Sequence, residues 1–145
     1  MGITVITSTY KRTDGRLQRA IESVLRQDYK DFEYLIVEDG ETKETRAVVE
    51  SYNDKRIRYI AIPHFGSDTR PKNEGIRQAR GEYIAYLDDD NAWRYGVLRK
   101  MVEKIKDFDI VYGDMWINIE GEHPQMGISK AVSYTHLTLP TNREV

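Results

Sequence analysis

The chain has 145 residues, 39% of them hydrophobic and 32% charged, with a formal net charge of −2 and no cysteine. This length supports one domain with a real hydrophobic core, and the composition is that of an ordinary globular protein. The near-neutral charge argues against nucleic-acid binding through a broad basic surface, and the missing cysteines exclude disulfides and thiolate metal sites.

No apolar run has the length of a membrane span, and Met1 leads into ITVITS without a charged leader or cleavage site. The expectation is a cytoplasmic protein, with peripheral membrane contact left open.

Residues 3–8 (ITVITS) are short and β-branched, as in a buried strand. Asp14 can cap a following helix, on which Leu17, Ala20, Ile21, Val24 and Leu25 share one face. Residues 32–37 (FEYLIV) predict a second strand, closed by Glu38-Asp39-Gly40. Thr42 is placed to cap a helix reaching about Tyr52, with Glu44 favourable in its first turn. Residues 57–62 (IRYIAI) predict a third strand, stopped by Pro63. A helix over 70–80 tolerates Pro71 in its first turn and ends at Gly81. A fourth strand follows at 83–87, a helix at 95–106 and a fifth strand at 109–116.

Strands alternating with amphipathic helices specify an α/β fold with a mostly parallel sheet. Right-handed crossovers then put every strand's C-terminal end on one edge, where such sheets bind ligands. Thr7 to Tyr10, Glu38 to Gly40 and Asp88-Asp89-Asp90 all stand at strand ends. They are expected to converge.

The aspartate run is the most telling of these. Hard carboxylate oxygens suit Mg²⁺ or Mn²⁺, which commonly binds one or two carboxylates plus substrate phosphates. On an extended strand Asp88 and Asp90 would share a side while Asp89 faces away. An EF-hand loop does not fit, since Ala92 and the lack of a following glycine break its pattern. Arg70, ahead of the helix leading to this strand, suits a diphosphate clamp or a plain surface ion pair. Asp39 can hydrogen-bond a base or ribose, or simply form the turn before Gly40. Tyr10 can stack on a nucleobase or pack on the sheet edge. Lys11 and Arg12 read as solvated, with phosphate within their reach. His64 and His123 lack a partner at ligand spacing and are assigned no role. No G-x-G-x-x-G follows the first strand, which disfavours a dinucleotide fold.

In order, ITVITSTYKR, LQRAIESVLRQDYKDFEYLIVEDGETKET and RPKNEGIRQARGEYIAYLDDDNAW resemble the nucleotide-sugar-binding half of an inverting GT-A glycosyltransferase of family 2. The spore-coat polysaccharide type is similar, and the resemblance covers nearly all of residues 1–130. It implies a Rossmann-like sheet, a UDP- or dTDP-sugar donor, a carbohydrate or glycan-precursor acceptor, and Mg²⁺ or Mn²⁺. By matching positions, Ser8 and Tyr10 would lie against base and ribose, Asp39 would bond the base, and Arg70 would meet the diphosphate. Asp88 or Asp89 would face the ribose or metal-bound water, with Asp90 and Asp88 as metal ligands. Two departures are Glu38, where the family commonly has Asp, and Glu41, where Ser is common.

The resemblance puts the catalytic base in the acceptor half. Asp114, Glu120 and Glu122 come too early in the pattern, so no base is assigned. Residues 131–145 (AVSYTHLTLPTNREV) resemble a translated sequencing adapter and are expected to be a non-native tail. The natural protein would then continue past residue 130. Two other readings are a sugar-nucleotidyltransferase and a non-catalytic nucleotide-binding or regulatory module. The first lacks its glycine-rich signature after the first strand, and the third strand carries no phosphoacceptor aspartate.

Overall fold

The computed structural model describes residues 2–108, 110–111, 115–117 and 125–127. They fall into two units, Met1–Val97 and Leu98–Val145. In the first, strands β1 (Ile3–Thr9), β2 (Phe32–Asp39), β3 (Ile57–Ile62) and β4 (Tyr83–Tyr86) form one sheet in the order β3-β2-β1-β4. All three pairings are parallel, with Ile3 opposite both Phe32 and Tyr83. Helices α1 (Arg16–Leu25), α2 (Lys43–Glu50) and α3 (Thr69–Gln78) make the crossovers.

The chain steps from β1 to β2 to β3 in one direction, then returns to set β4 on the other side of β1. That reversal is the topological switch point, and it opens at the C-terminal ends of β1 and β4. Ile6, Leu35 and Val37 form a buried cluster with Ile60 and Ile62 packed against it. Alternation turns Val5, Tyr34 and Ile36 to the opposite face, and all three are fully buried, as are Leu17, Ala20, Ile21 and Val24 of α1. The buried Tyr34 hydroxyl lies 2.8 Å from Thr7 Oγ1, which donates onward to the Leu87 carbonyl at 2.7 Å. Thr7 has one proton to give, so Tyr34 is the donor to Thr7.

The caps agree with the sequence at α2 and differ at α1. Thr42 Oγ1 accepts from the Thr45 amide, as its position predicts. At α1 the cap is Gly15, without a side-chain cap bond, and Asp14 instead accepts from the Arg16 amide at 3.1 Å. Glu38 is fully buried at the end of β2. Its carboxylate accepts from the Thr42 amide, the Thr42 hydroxyl and the Tyr59 hydroxyl. The longer Glu side chain thus ties β2, β3 and the start of α2 together.

Gly81 marks a close approach. A Cβ there would lie 2.5 Å from the Thr4 nitrogen and 2.7 Å from the Ile3 carbonyl carbon. Those are main-chain atoms of the central strand and cannot swing aside. Gly81→Ala is expected to destabilise the fold by about 2 kcal/mol, lowering the thermal midpoint by about 6 °C. An unchanged midpoint in a calorimetric scan would contradict this packing.

Helix α4 (Val97–Ile105), all but its first residue in the second unit, is followed there by β5 (Met115–Ile117) and β6 (Gln125–Gly127). These two strands form their own antiparallel pair, with Trp116 opposite Met126. The predicted fifth strand over 109–116 is therefore corrected in part, residues 109 and 112–114 lying outside the described residues. Residues 110–111 are not in a strand, and 115–117 join a local pair rather than the parallel sheet. Pairing with a segment close in sequence closes a short loop and costs little entropy. Asp114, Glu120, Glu122, His123 and the tail over 131–145 lie outside the described residues. Among the described residues, no helix is long and apolar enough to cross a membrane.

Candidate active site

A cleft of about 650 Å³ opens at the switch point. It is lined at the end of β1 by Ser8, Thr9, Tyr10 and Arg12, and at the end of β2 by Asp39. His64, Gly66 and the start of α3 form another wall, and all three aspartates of the run complete it. Five of the six sequence-predicted nucleotide residues therefore meet here, together with both metal candidates. The sixth, Arg70, is not among the lining residues; its guanidinium carbon lies 3.0 Å from the centre of the Phe65 ring.

The run does not continue the strand. Regular pairing ends at Tyr86, and the chain turns at Asp89 and Asp90, with the Asn91 amide donating to the Asp88 carbonyl at 3.1 Å. The strand alternation expected for Asp88, Asp89 and Asp90 is thus replaced by a turn. Like charges side by side favour this, because a turn can aim each carboxylate at a different partner.

Asp89 points into the protein and is only 8% exposed. It accepts from the Thr9 hydroxyl at 2.8 Å and from two Arg12 nitrogens at 3.0 and 3.1 Å. This two-pronged bond raises the Arg12 pKa above its ordinary value. Arg12, expected to be solvated, is instead the internal counter-ion of the run. Asp88 is exposed, with Lys72 Nζ 3.6 Å away. Lys72 also bonds Asp68 at 2.9 Å, and these carboxylates, Asp68 first, raise its pKa. Asp90 is half-buried and lines the cleft; its main-chain oxygen accepts from Arg19 at 2.7 Å.

Helix α1 holds the segment that follows. Arg26 bonds the Trp93 carbonyl, Gln27 bonds the Arg94 carbonyl at 2.8 Å, and Ser23 accepts from the Trp93 amide at 3.1 Å. Ser23, on the helix, and Gln27, just past its end, are buried polar side chains. The sequence carries that signal, but it does not say which main chain they satisfy.

At the other wall Asp39 is 4% exposed. Its two oxygens accept the Phe65 and Gly66 amides, each at 2.7 Å. Burial works to raise its pKa, but these amides, with His64 beside them, outweigh burial and hold the carboxyl below its usual range. Gly40, next in the chain, has φ +102, and a Cβ on it would meet His64 Cβ at 3.3 Å. The glycine thus serves both the turn and the approach of His64.

Among the described residues, no group of three or more His, Asp or Glu is placed to hold a metal ion. Asp88 and Asp90 both line the cleft, and carboxylate oxygens are the hard donors that Mg²⁺ and Mn²⁺ take. Two such side chains suit an ion shared with substrate phosphates better than a closed protein cage.

The profile of glycosyl transferase family 2 matches residues 4–143. The chain belongs to this family. It is 32% identical over 123 residues to the GalNAc(5)-diNAcBac-PP-undecaprenol beta-1,3-glucosyltransferase of Campylobacter jejuni, a match covering 82% of this chain and 40% of that protein. It is 41% identical over 93 residues to the putative colanic acid biosynthesis glycosyl transferase WcaA of Escherichia coli, covering 61% of this chain and 33% of that protein. Its fold is similar to that of S. aureus TarS 1-349 in complex with UDP-GlcNAc, with a TM-score of 0.71 and 23% identity over 85% of this chain and 36% of that one. The sheet of this family 2 chain is thus the GT-A, Rossmann-like arrangement. The chain spans well under half the length of these relatives.

Proposed function

We propose that this chain is the donor-binding part of a cytoplasmic, inverting family 2 glycosyltransferase that uses a UDP- or dTDP-sugar with Mg²⁺ or Mn²⁺. The acceptor is a carbohydrate or glycan precursor. The observation that carries the reading is that Tyr10, Asp39, Asp88 and Asp90 all line one cleft. One side offers an aromatic ring and a turn for a nucleoside. The other offers two carboxylates, with Lys72 beside them, for a metal-bound diphosphate. The Campylobacter and E. coli relatives, both named as glycosyl transferases, support the same class of chemistry.

In this reading Ser8 and Tyr10 hold base and ribose, and Asp88 and Asp90 hold the cation together with the donor's diphosphate. The ion, when bound, neutralises negative charge gathering on the leaving nucleoside diphosphate. Lys72 adds a positive charge on the same side. Arg12 contributes by holding Asp89, and through it the turn that presents Asp88 and Asp90. An inverting transfer also needs a base to take the acceptor hydroxyl proton, and no residue of the chain is assigned to it.

Titrating UDP into the chain with and without Mn²⁺ tests this. Binding is expected to strengthen with Mn²⁺, and Asp88→Ala and Asp90→Ala are each expected to remove about tenfold of that gain. Absence of UDP binding would overturn the function. Mn²⁺-dependent binding that survives both substitutions would overturn the site assignment.

A further inference from the structure

We infer that Arg19 is a positioning residue for the cation-binding carboxylates, pinning from helix α1 the turn that carries Asp88 and Asp90. The inference rests on the metal-dependent nucleotide-sugar reading above. It adds to that reading an exposed helix residue that does not line the cleft.

The turn closes with a bond from the Asn91 amide to the Asp88 carbonyl at 3.1 Å, with Asp89 and Asp90 between them. The Asn91 amide and the Asp90 carbonyl belong to the same planar peptide unit. Arg19 donates to that carbonyl at 2.7 Å. The peptide is thus bonded at both poles, and rotating it would break one bond or the other. Its orientation sets ψ at Asp90, and hence the direction in which that side chain leaves the main chain. The same peptide ties Asp90 to Asp88. A single contact from Arg19 therefore bears on the placement of both carboxylates.

Helix α1 is a firm base for this contact. Leu17, Ala20, Ile21 and Val24 are fully buried, so the helix cannot shift without disturbing the core. Ser23, Arg26 and Gln27 continue the hold along the chain, meeting the Trp93 amide, the Trp93 carbonyl and the Arg94 carbonyl. Residues 91–94 lie in no strand or helix, and these side chains replace the ladder that would otherwise fix their main chain. Ser23 and Gln27 are themselves buried, so replacing either would disturb the fold. Arg19 is exposed and can be changed alone.

Charge and position pull in opposite directions at Arg19. A guanidinium beside the aspartate run repels a divalent cation, so its charge alone would weaken metal binding. Its hydrogen bond instead fixes the main chain under both carboxylates before the ion arrives, which saves ordering that binding would otherwise cost. The bond is the stronger influence, because water and salt screen an exposed charge.

The test is titration of UDP into the full chain with and without Mn²⁺, with a thermal melt of each variant alongside. Arg19→Ala is expected to cut the gain in UDP affinity that Mn²⁺ brings by about fivefold, with a thermal midpoint within about 2 °C of the wild type. Arg19→Lys keeps a donor long enough to reach the carbonyl and is expected to recover most of that gain. Recovery reports the bond, since the charge that lysine restores opposes the cation. Three results would overturn the inference and leave the nucleotide-sugar reading intact: a gain unchanged or larger in Arg19→Ala, a loss of UDP affinity equal with and without Mn²⁺, or an Arg19→Lys no better than Arg19→Ala. A wild-type chain whose UDP binding gains nothing from Mn²⁺ overturns the metal reading and the inference together, and is recognised before any variant is made.

Discussion

Asp89→Ala is expected to lower both stability and donor binding, whereas alanine at Asp88 or Asp90 is expected to lower binding alone. The difference follows from where the three carboxylates go. Asp89 is nearly buried and is the common acceptor for Thr9 and for two nitrogens of Arg12. Removing it strands a guanidinium that is 29% exposed and a hydroxyl that is buried. Losing one partner of a fully buried ion pair costs about 3–5 kcal/mol. Arg12 keeps some access to water, so about 2 kcal/mol is the appropriate figure, or about 6 °C in the thermal midpoint. The same bond joins the end of β1 to the turn after β4 across the switch point. Its loss lets that turn relax and should weaken UDP with Mn²⁺ by tenfold or more, on the order of 1.4 kcal/mol. Asp88 is exposed and Asp90 half-buried, and both line the cleft, so stability should move by less than about 0.5 kcal/mol in either variant. If Asp89→Ala melts like the wild type, the Arg12 clamp has been given too much weight.

The second large effect is expected at Asp39. Asp39→Ala should abolish detectable UDP binding and lower the thermal midpoint, because two main-chain amides and the His64 imidazole lose their acceptor together. Asn is not a safe replacement. It keeps one oxygen for Phe65 but turns an NH₂ group toward the Gly66 amide or toward Nδ1, setting donor against donor. Asp39→Asn should therefore resemble Asp39→Ala in binding, and wild-type affinity in the Asn variant would overturn this account.

The carboxylate's charge also gives a pH signature. Its folded pKa is depressed. Its contribution to stability is thus complete above the unfolded value of about 3.9, and is lost as the pH falls through the lower folded value. Asp54 acts in the same direction, since its bond to Arg56 holds it at about 2. Acid melting of the wild type should steepen below about pH 4. Asp39→Asn should flatten part of that limb, and identical acid limbs for the two proteins would remove Asp39 from it.

Sequence alone determined a good deal here. Four strands, three crossover helices and the edge on which the cleft opens were readable from short β-branched runs and one-sided helical periods, because those patterns are local. The residues at the strand ends were legible for the same reason. Once a strand's end is known, parallel topology carries Ser8, Tyr10, Asp39 and Asp88 to Asp90 to a common edge whatever the helices do.

Only the tertiary structure decided how each end is used. Arg12 looked solvated because its partner, Asp89, is 77 residues away. His64 looked idle because Asp39 stands 25 residues earlier, on another strand. Arg70 and Lys72 are two residues apart, and the orientation of α3 puts Lys72 in the cleft and Arg70 over Phe65. The strand predicted at 109–116 is seen at 115–117 but paired with β6, for a related reason: an apolar run shows that a segment can pair, but not with which partner. Local patterns follow from backbone geometry and burial, and a sequence shows both. Which cation meets which carboxylate depends on side chains brought together across tens of residues, and that is settled only when the chain closes on itself.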